Sequence, residues 1–251
     1  MVDFYKGEVI YLNKPYRMSS FGALAFARTR LCRKLGVRKI KIGHAGTLDP
    51  LATGVLILCT GKATKRIEEF QSHSKEYTAT LQLGATTASH DMEHPVEATY
   101  PTEHITKERI LQTLQQFTGT IEQIPPEFSA CKVGGKPAYK LARKGKEIKL
   151  EPKTLVIDEM ELTDFDPETM QMSVRVVCSK GTYIRALARD IGEALGSGAY
   201  LTALCRTRIG DIHIQDCLTF DDFQPWLDGL EIAPYPQPQP KKSALIPSSE
   251  Y

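Results

Sequence analysis

The 251-residue chain holds no apolar run near the roughly 18 residues that a membrane-spanning helix needs. Its first residues, Met1-Val2-Asp3-Phe4-Tyr5-Lys6, lack the charged-then-apolar layout of a secretory leader. These two absences point to a cytoplasmic protein with no membrane partner. The chain also has no CxxC: its six cysteines stand at positions 32, 59, 131, 178, 205 and 217. That spacing suggests neither a structural zinc site nor a redox pair, and reduced, buried thiols are expected. No internal repeat is visible, so a solenoid is excluded. With 41% hydrophobic and 25% charged residues, the composition is that of an ordinary globular protein.

Charge of one sign is missing over a long stretch. Between Val9 and Leu48 there is no Asp or Glu but nine Lys or Arg. A second basic run, from Cys131 to Lys153, sets eight Lys or Arg against Glu147 and Glu151. The net charge of +2 hides this asymmetry. Basic blocks of this kind suit a polyanion such as nucleic acid, although many are only solvated helix faces.

The hydrophobic pattern gives a mixed set of elements. Glu8 to Leu12 predicts a strand, and Ser19 or Ser20 caps a helix that runs to about Leu35 and ends at Gly36. Ile40 to Ile42 is short and alternating. Val55 to Cys59 is a continuous apolar run, the pattern of a buried strand. Ala63 to Phe70 reads as helix and Tyr77 to Leu83 as strand. Thr106 caps a helix that continues through Phe117. Pro137 to Lys144 predicts a short basic helix inside a Pro-, Gly- and Lys-rich insertion over about 124–153. Leu155 to Leu162 and Met170 to Cys178 are paired strand candidates. Thr182 to Leu195 is an amphipathic helix, and Ile209 to Ile214 is read as the last strand. Strands and helices that mix without strict alternation predict an α+β fold. Residues 1–228 form one expected domain, followed by a proline-rich tail over 229–251.

The most informative segment is Gly43-His44-Ala45-Gly46-Thr47-Leu48-Asp49-Pro50-Leu51-Ala52-Thr53-Gly54. It places a carboxylate between a glycine-rich turn and a buried strand. Pro50 fixes the chain after Asp49, and the glycines let backbone approach a ligand. Spacing alone leaves two readings open: a functional carboxylate on a loop held by a rigid scaffold, or an Asp-Pro that only closes a turn.

The wider pattern resembles a known family, the TruB-type tRNA pseudouridine synthases. The similarity is carried by Asn13-Lys14-Pro15, GHAGTLDPLATGVL at 43–56, KEYTATLQLG at 75–84, IPPEFSACKVGGKPAYKLARKG at 124–145 and KGTYIRALARDIGEALG at 180–196. It covers about residues 8 to 215 in order. The resemblance implies the pseudouridine synthase fold, a mixed and mostly antiparallel sheet flanked by helices. It implies an isomerisation that breaks the N1–C1′ bond of a tRNA T-loop uridine (position 55 of the tRNA), turns the base and rejoins it through C5. Neither cofactor nor metal is implied, because bond order and redox state are unchanged overall.

The resemblance also assigns roles. Asp49 is the expected catalytic carboxylate, either attacking C1′ or abstracting a sugar proton. Both roles need it ionised, which a neighbouring cation favours, and Arg185 is the expected partner. Tyr77 is the expected active-site tyrosine, stacking on the uracil and helping the C5 proton leave. Leu204 is expected to line the base pocket, and Tyr183 to bind the substrate. His44 is expected to fill space left by the extruded nucleotide, Lys14 to contact substrate or support the loop, and Asp91 to lie near the RNA. Lys140 and Arg143 of the insertion are expected on phosphates, with Gly134-Gly135 as a hinge. His90 and His94 have i, i+4 spacing, but Pro95 and the absence of a helical stripe argue against a metal there.

Two departures from the family pattern stand out. Arg17 occupies a place where relatives often have Gly, and Ala88 and His94 break an acidic spacing. Relatives also often continue into a PUA-type RNA-binding domain, whereas only about 35 residues follow Asp216 here. The expected partner is therefore the T-arm of tRNA, bound by a monomer with no obligatory protein partner. The rival readings are an enzyme acting on another RNA or with a guide RNA, and a non-catalytic RNA-binding or RNA-folding module.

Overall fold

The computed structural model describes residues 1–129, 131–142, 144 and 148–235. Arg143 and residues 236–251, which carry most of the proline-rich tail, lie outside them. In chain order the strands are β1 (Val9–Lys14), β2 (Ile42–Ala45), β3 (Thr53–Thr60), β4 (Lys75–Leu83), β5 (Ala85–Thr87), β6 (Val96–Thr99) and β7 (Gly119–Gln123), then β8 (Lys132–Val133), β9 (Lys136–Pro137), β10 (Lys153–Asp166), β11 (Gln171–Cys178), β12 (Ala199–Ile209) and β13 (Ile212–His213). The helices are α1 (Ser20–Leu35), α2 (Ile67–Ser72), α3 (Lys107–Gln116), α4 (Ala138–Ala142), α5 (Ile184–Ala194) and α6 (Phe220–Asp228).

A nine-stranded sheet organises the described residues. Its path is β1-β3-β12-β4-β11-β10-β7, with β2 paired to β3 and β13 to β12. The contact of β3 with β12 is parallel, and the other pairs along that path are antiparallel. The α+β expectation of a mixed, mostly antiparallel sheet flanked by helices therefore holds.

The continuous apolar run of β3 is explained by burial on both faces. Leu56 and Leu58 pack with Leu24 and Leu31 of α1 and with Phe223 and Leu227 of α6. Val55, Ile57 and Cys59 pack on the other side with Phe70 and Ile209. β4 shows the alternation of a strand with one wet face. Lys75, Tyr77, Ala79, Leu81 and Leu83 are buried, while Glu76, Thr78, Thr80 and Gln82 are partly or fully exposed. The buried row of β4 packs with Val174 and Val176 of β11 and with Ile184, Leu187 and Ile191 of α5.

Local chemistry sets the helix ends. Ser19 Oγ accepts from the Gly22 N–H at the start of α1, and Gly36 closes the helix in the left-handed region at φ 64°. Thr106 caps α3 through the Arg109 N–H.

The structure departs from the sequence reading in several places. The segment Ala63 to Phe70 is a 3₁₀ turn (Gly61–Arg66) followed by α2. The strand expected over Ile209 to Ile214 is instead the end of a hairpin. Gly210 and Asp211 turn the chain, with Ile209 opposite Ile212, because Gly210 reaches φ 55° at little steric cost. The long strand before that turn, β12, and helix α6 were both unforeseen. The tail expected from residue 229 begins tied to the N-terminus: the Val2 N–H donates to Glu231 O and the Ala233 N–H to Val2 O. All six cysteines are free thiols; Cys59 and Cys178 are buried and the other four half-buried.

Candidate active site

The catalytic-loop candidate, residues 46–52, joins β2 to β3. Its backbone is held from several directions. Ser20 of α1 uses one hydroxyl twice: Oγ accepts from the Leu48 N–H at 2.8 Å and donates to Leu48 O at 3.0 Å. The Ala52 N–H donates to Asp49 O at 3.1 Å, which closes a turn. That turn uses the backbone of Asp49, so the carboxylate is left to face elsewhere. Gly54 enters β3 at φ 103°, and a Cβ there would stand 2.2 Å from Arg206 O. Only glycine lets β3 and β12 meet at this point.

Two buried cations pin the same loop. Arg206 of β12 is 2% exposed; its Nε donates to Val55 O at 2.9 Å and its Nη2 to Gly46 O at 3.1 Å. One guanidinium thus fastens both ends of the loop. Lys14, at the end of β1, is 0% exposed, and its Nζ donates to Pro15 O, Met18 O and Pro50 O. Of the two roles expected for Lys14, this geometry supplies support of the loop. Its ammonium is enclosed by these carbonyls. Burial pushes its pKa down to about 8, opposed by nearby Asp49 and reinforced by Arg206.

Asp49 meets Arg185, which lies in the first turn of α5. The Arg185 Nε donates to Asp49 Oδ2 at 2.8 Å and its Nη2 to Asp49 Oδ1 at 3.2 Å. This is the two-point pairing that a planar guanidinium allows and an ammonium does not. The guanidinium is 4% exposed and the Asp49 side chain 37%, so the carboxylate opens to solvent on a buried cationic floor. Two further donors of Arg185 are engaged: Nη1 donates to Ser89 O and Nη2 also to Phe128 O. Asp91 Oδ2 lies 3.7 Å from the Arg185 Nε. Asp91 is itself buried and held by the Ser89 hydroxyl and the Glu93 N–H. Asp91, expected near the RNA, thus stands beside Arg185 as a second carboxylate of the ion-pair cluster.

Asp49 and Arg185 line a cavity of about 640 Å³ that also takes in Tyr77, Tyr139, Tyr183, Leu204, Lys75 and Arg206. Tyr183 is fixed through its backbone, because Gln123 accepts from its N–H and donates to its carbonyl. The Tyr77 hydroxyl is pushed up by burial, an effect that Arg206 opposes in part. It is accordingly a neutral phenol, so any part it takes in moving a proton is as a hydroxyl. His44 is on β2 opposite Leu58, just before the loop, and is not among the cavity-lining residues. Its imidazole is pushed down by burial and by Arg206, which keeps it neutral. Lys140 is exposed on α4, and the roof of the cavity near Phe128 and Tyr139 is built from the start of the insertion. His94 lies against Phe128, with ring centroids 4.7 Å apart.

Sequence reasoning missed Arg206, Lys75, Ser20 and Gln123. Arg206 sits in a strand that the hydrophobic pattern did not reveal. Ser20 was read only as a helix cap. Lys75 is buried and donates from Nζ to Gln71 O and His73 O, although it stands in a segment that looks amphipathic and wet. The one available signal was KEYTATLQLG itself, whose alternation puts Lys75 on the same face as Tyr77.

Residues 33–184 match the model described as the TruB family pseudouridylate synthase N-terminal domain, and residues 185–229 match the tRNA pseudouridylate synthase B C-terminal domain. A Phocaeicola vulgatus protein named tRNA pseudouridine synthase B is 64% identical over 232 residues, covering 92% of this chain and 97% of that protein. A Flavobacterium johnsoniae protein of the same name is 47% identical and is covered to 96%. Among solved structures, a chain in a Cbf5–Nop10–Gar1 complex aligns with a TM-score of 0.66 at 28% identity. That alignment covers 91% of this chain and 58% of that chain, so this chain spans little more than half its length. With more than half its length in one family model and close relatives aligned nearly end to end, the chain belongs to the TruB family of pseudouridylate synthases.

Proposed function

We propose that the chain converts the T-loop uridine of tRNA, position 55 of the tRNA, to pseudouridine, with Asp49 as the catalytic carboxylate. The observation that carries the reading is the two-point Arg185–Asp49 pair on the floor of a cavity large enough for an extruded nucleotide. The names of the relatives support tRNA as the substrate. The target base leaves its stack at a cost of a few kcal/mol. Filling the vacated space offsets part of that, a role that His44 is positioned beside the loop to take. Tyr77 and Leu204 then flank the uracil.

Asp49 acts on the sugar, by attack at C1′ or by removal of a proton. Arg185 aims it through the two-point pair, with Asp91 also beside the guanidinium. The N1–C1′ bond breaks, the base turns, and a C5–C1′ bond forms. One proton leaves C5 and one is gained at N1, so the balance needs neither cofactor nor metal. In this reading the chain works as a cytoplasmic monomer, with tRNA as its partner.

The test is incubation with an unmodified T-arm hairpin followed by mapping of pseudouridine. Product at the T-loop uridine is expected. Binding without product would favour the non-catalytic RNA-binding module instead.

A further inference from the structure

We infer that the chain has a second nucleotide subsite, centred on Tyr16, that takes a loop base neighbouring the target uridine. This rests on the RNA-modifying reading above and extends it. A groove of about 180 Å³ lies beyond Leu204, which lines both this groove and the Asp49 cavity. Its walls include Tyr16, Leu51, Thr78 and Thr202, and no charged side chain lines it. It belongs to the wet face of the sheet, where Thr80 Oγ1 meets Ser173 Oγ at 3.0 Å. Hydroxyls that can either donate or accept, beside an aromatic ring, suit the edge and face of an uncharged base. A phosphate would need a cation inside the groove, and there is none among its walls.

The cation stands at the rim instead. Tyr16 is 44% exposed, and the Arg17 guanidinium lies 5.5 Å from its ring centroid. Arg17 holds φ 59°, the left-handed region, which costs a residue with a Cβ but not glycine. The chain thus carries an exposed arginine where glycine is the easiest residue to place. An outlier of this kind is a reason to look for function. A base stacked on Tyr16 with its phosphate on Arg17 accounts for both residues. Continuity supplies the occupant: Leu51 follows Asp49-Pro50 in the catalytic loop, so a strand leaving the Asp49 cavity past Leu204 reaches the groove with its next nucleotides. The acidic groups of the same sheet face do not oppose this, since Arg175 pairs with Glu76, Glu159 and Glu161.

The test uses the T-arm hairpin and a set of hairpins in which each loop base near the target is made abasic in turn. Tyr16→Ala should weaken binding of the intact hairpin about tenfold, or 1.4 kcal/mol. Tyr16→Phe should keep the parent affinity, because the ring and not the hydroxyl does the stacking. One abasic hairpin should bind the parent about tenfold more weakly, yet lose nothing further with Tyr16→Ala, the signature of a direct pair. Arg17→Gly should lower the salt slope of binding by about one. Parent-like binding by Tyr16→Ala, or an equal loss on every abasic hairpin, overturns the subsite. An inactive parent whose binding still depends on Tyr16 overturns the activity and keeps the subsite. An active parent indifferent to Tyr16 does the reverse, and a parent that neither binds nor reacts overturns both.

Discussion

Asp49 is bound to the fold by its backbone and to the chemistry by its side chain. The turn at residues 49–52 is closed by Asp49 O, and the loop is fastened by Ser20, Lys14 and Arg206. Asp49→Asn should therefore fold with near-parent stability and bind a T-arm hairpin within about tenfold of the parent, or 1.4 kcal/mol. It should form no pseudouridine even with enzyme in excess, because neither attack on C1′ nor proton abstraction survives loss of the carboxylate. Product from this variant, once reversion of Asn to Asp is excluded, would remove Asp49 from the mechanism. Arg185→Lys keeps the charge but loses the fork that reaches both oxygens of Asp49 and also Ser89 O and Phe128 O. A larger fall in kcat than in RNA affinity is expected; normal single-turnover chemistry with weakened binding would mean that Arg185 holds RNA instead. Both residues were singled out through the family resemblance of their motifs, since spacing alone left Asp49 open and gave Arg185 no signal. Arg206 was not, because an arginine inside an unforeseen strand gives no signal of its own, and its role depends on which backbone carbonyls the fold brings to it.

At the scale of elements, the sequence showed what periodicity encodes and missed what pairing decides. α1, α3, α5, β3, β4 and β11 follow from apolar spacing and caps. β12 does not: Ala199 to Ile209 has two register shifts against β4, so its in–out alternation is broken. Yet β12 supplies Leu204 and Arg206, and its parallel contact with β3 brings the loop to the cavity. The other hidden device is the pair of enclosed lysines. Lys14 and Lys75 are both pushed down to about 8 by burial, against 10.5 for a free lysine. Between those values the unfolded chain binds the proton more tightly than the folded one, so stability rises as pH increases through 8. The effect is clearest from pH 8 to 9. The buried thiols of Cys59, Cys178 and Cys217, pushed up to about 11 or 12, already oppose part of it as pH approaches 9 and dominate above. Each lysine should contribute at most about 1 kcal/mol per pH unit there. Denaturant unfolding at pH 8.0, 8.5 and 9.0 checks this. Lys14→Met should remove most of the net rise, because the part due to Lys75 is then offset by the thiols; an unchanged slope would mean that Lys14 keeps an ordinary pKa in the folded chain.

For the whole molecule, what matters is where positive charge stands relative to the Asp49 cavity. The sequence displays two basic runs, but folding divides them by task. Lys14 is buried under the catalytic loop, whereas Lys132, Lys136, Lys140 and Lys144 are exposed on the insertion. The insertion starts at the roof of the cavity, through Phe128 and Tyr139. An RNA entering the cavity passes these lysines, and phosphates paired with them release condensed counterions. Affinity for a T-arm hairpin should then fall linearly with the logarithm of salt concentration, with a slope of about −0.9 per phosphate neutralised on duplex and about −0.7 on single strand. Replacing Lys136, Lys140 and Lys144 together by Ala should make that slope shallower by about two to three. Because all three side chains are exposed, the thermal midpoint should stay close to that of the parent. The single-turnover rate at saturating enzyme should hardly change, since Asp49, Arg185 and Tyr77 are left in place. A shallower slope with intact chemistry assigns these lysines to grip. An unchanged slope would place the phosphate contacts elsewhere, most directly on the exposed arginines and lysines of α1 and the residues after it. A fall in rate at saturation would mean instead that the insertion shapes the cavity rather than holding the RNA outside it.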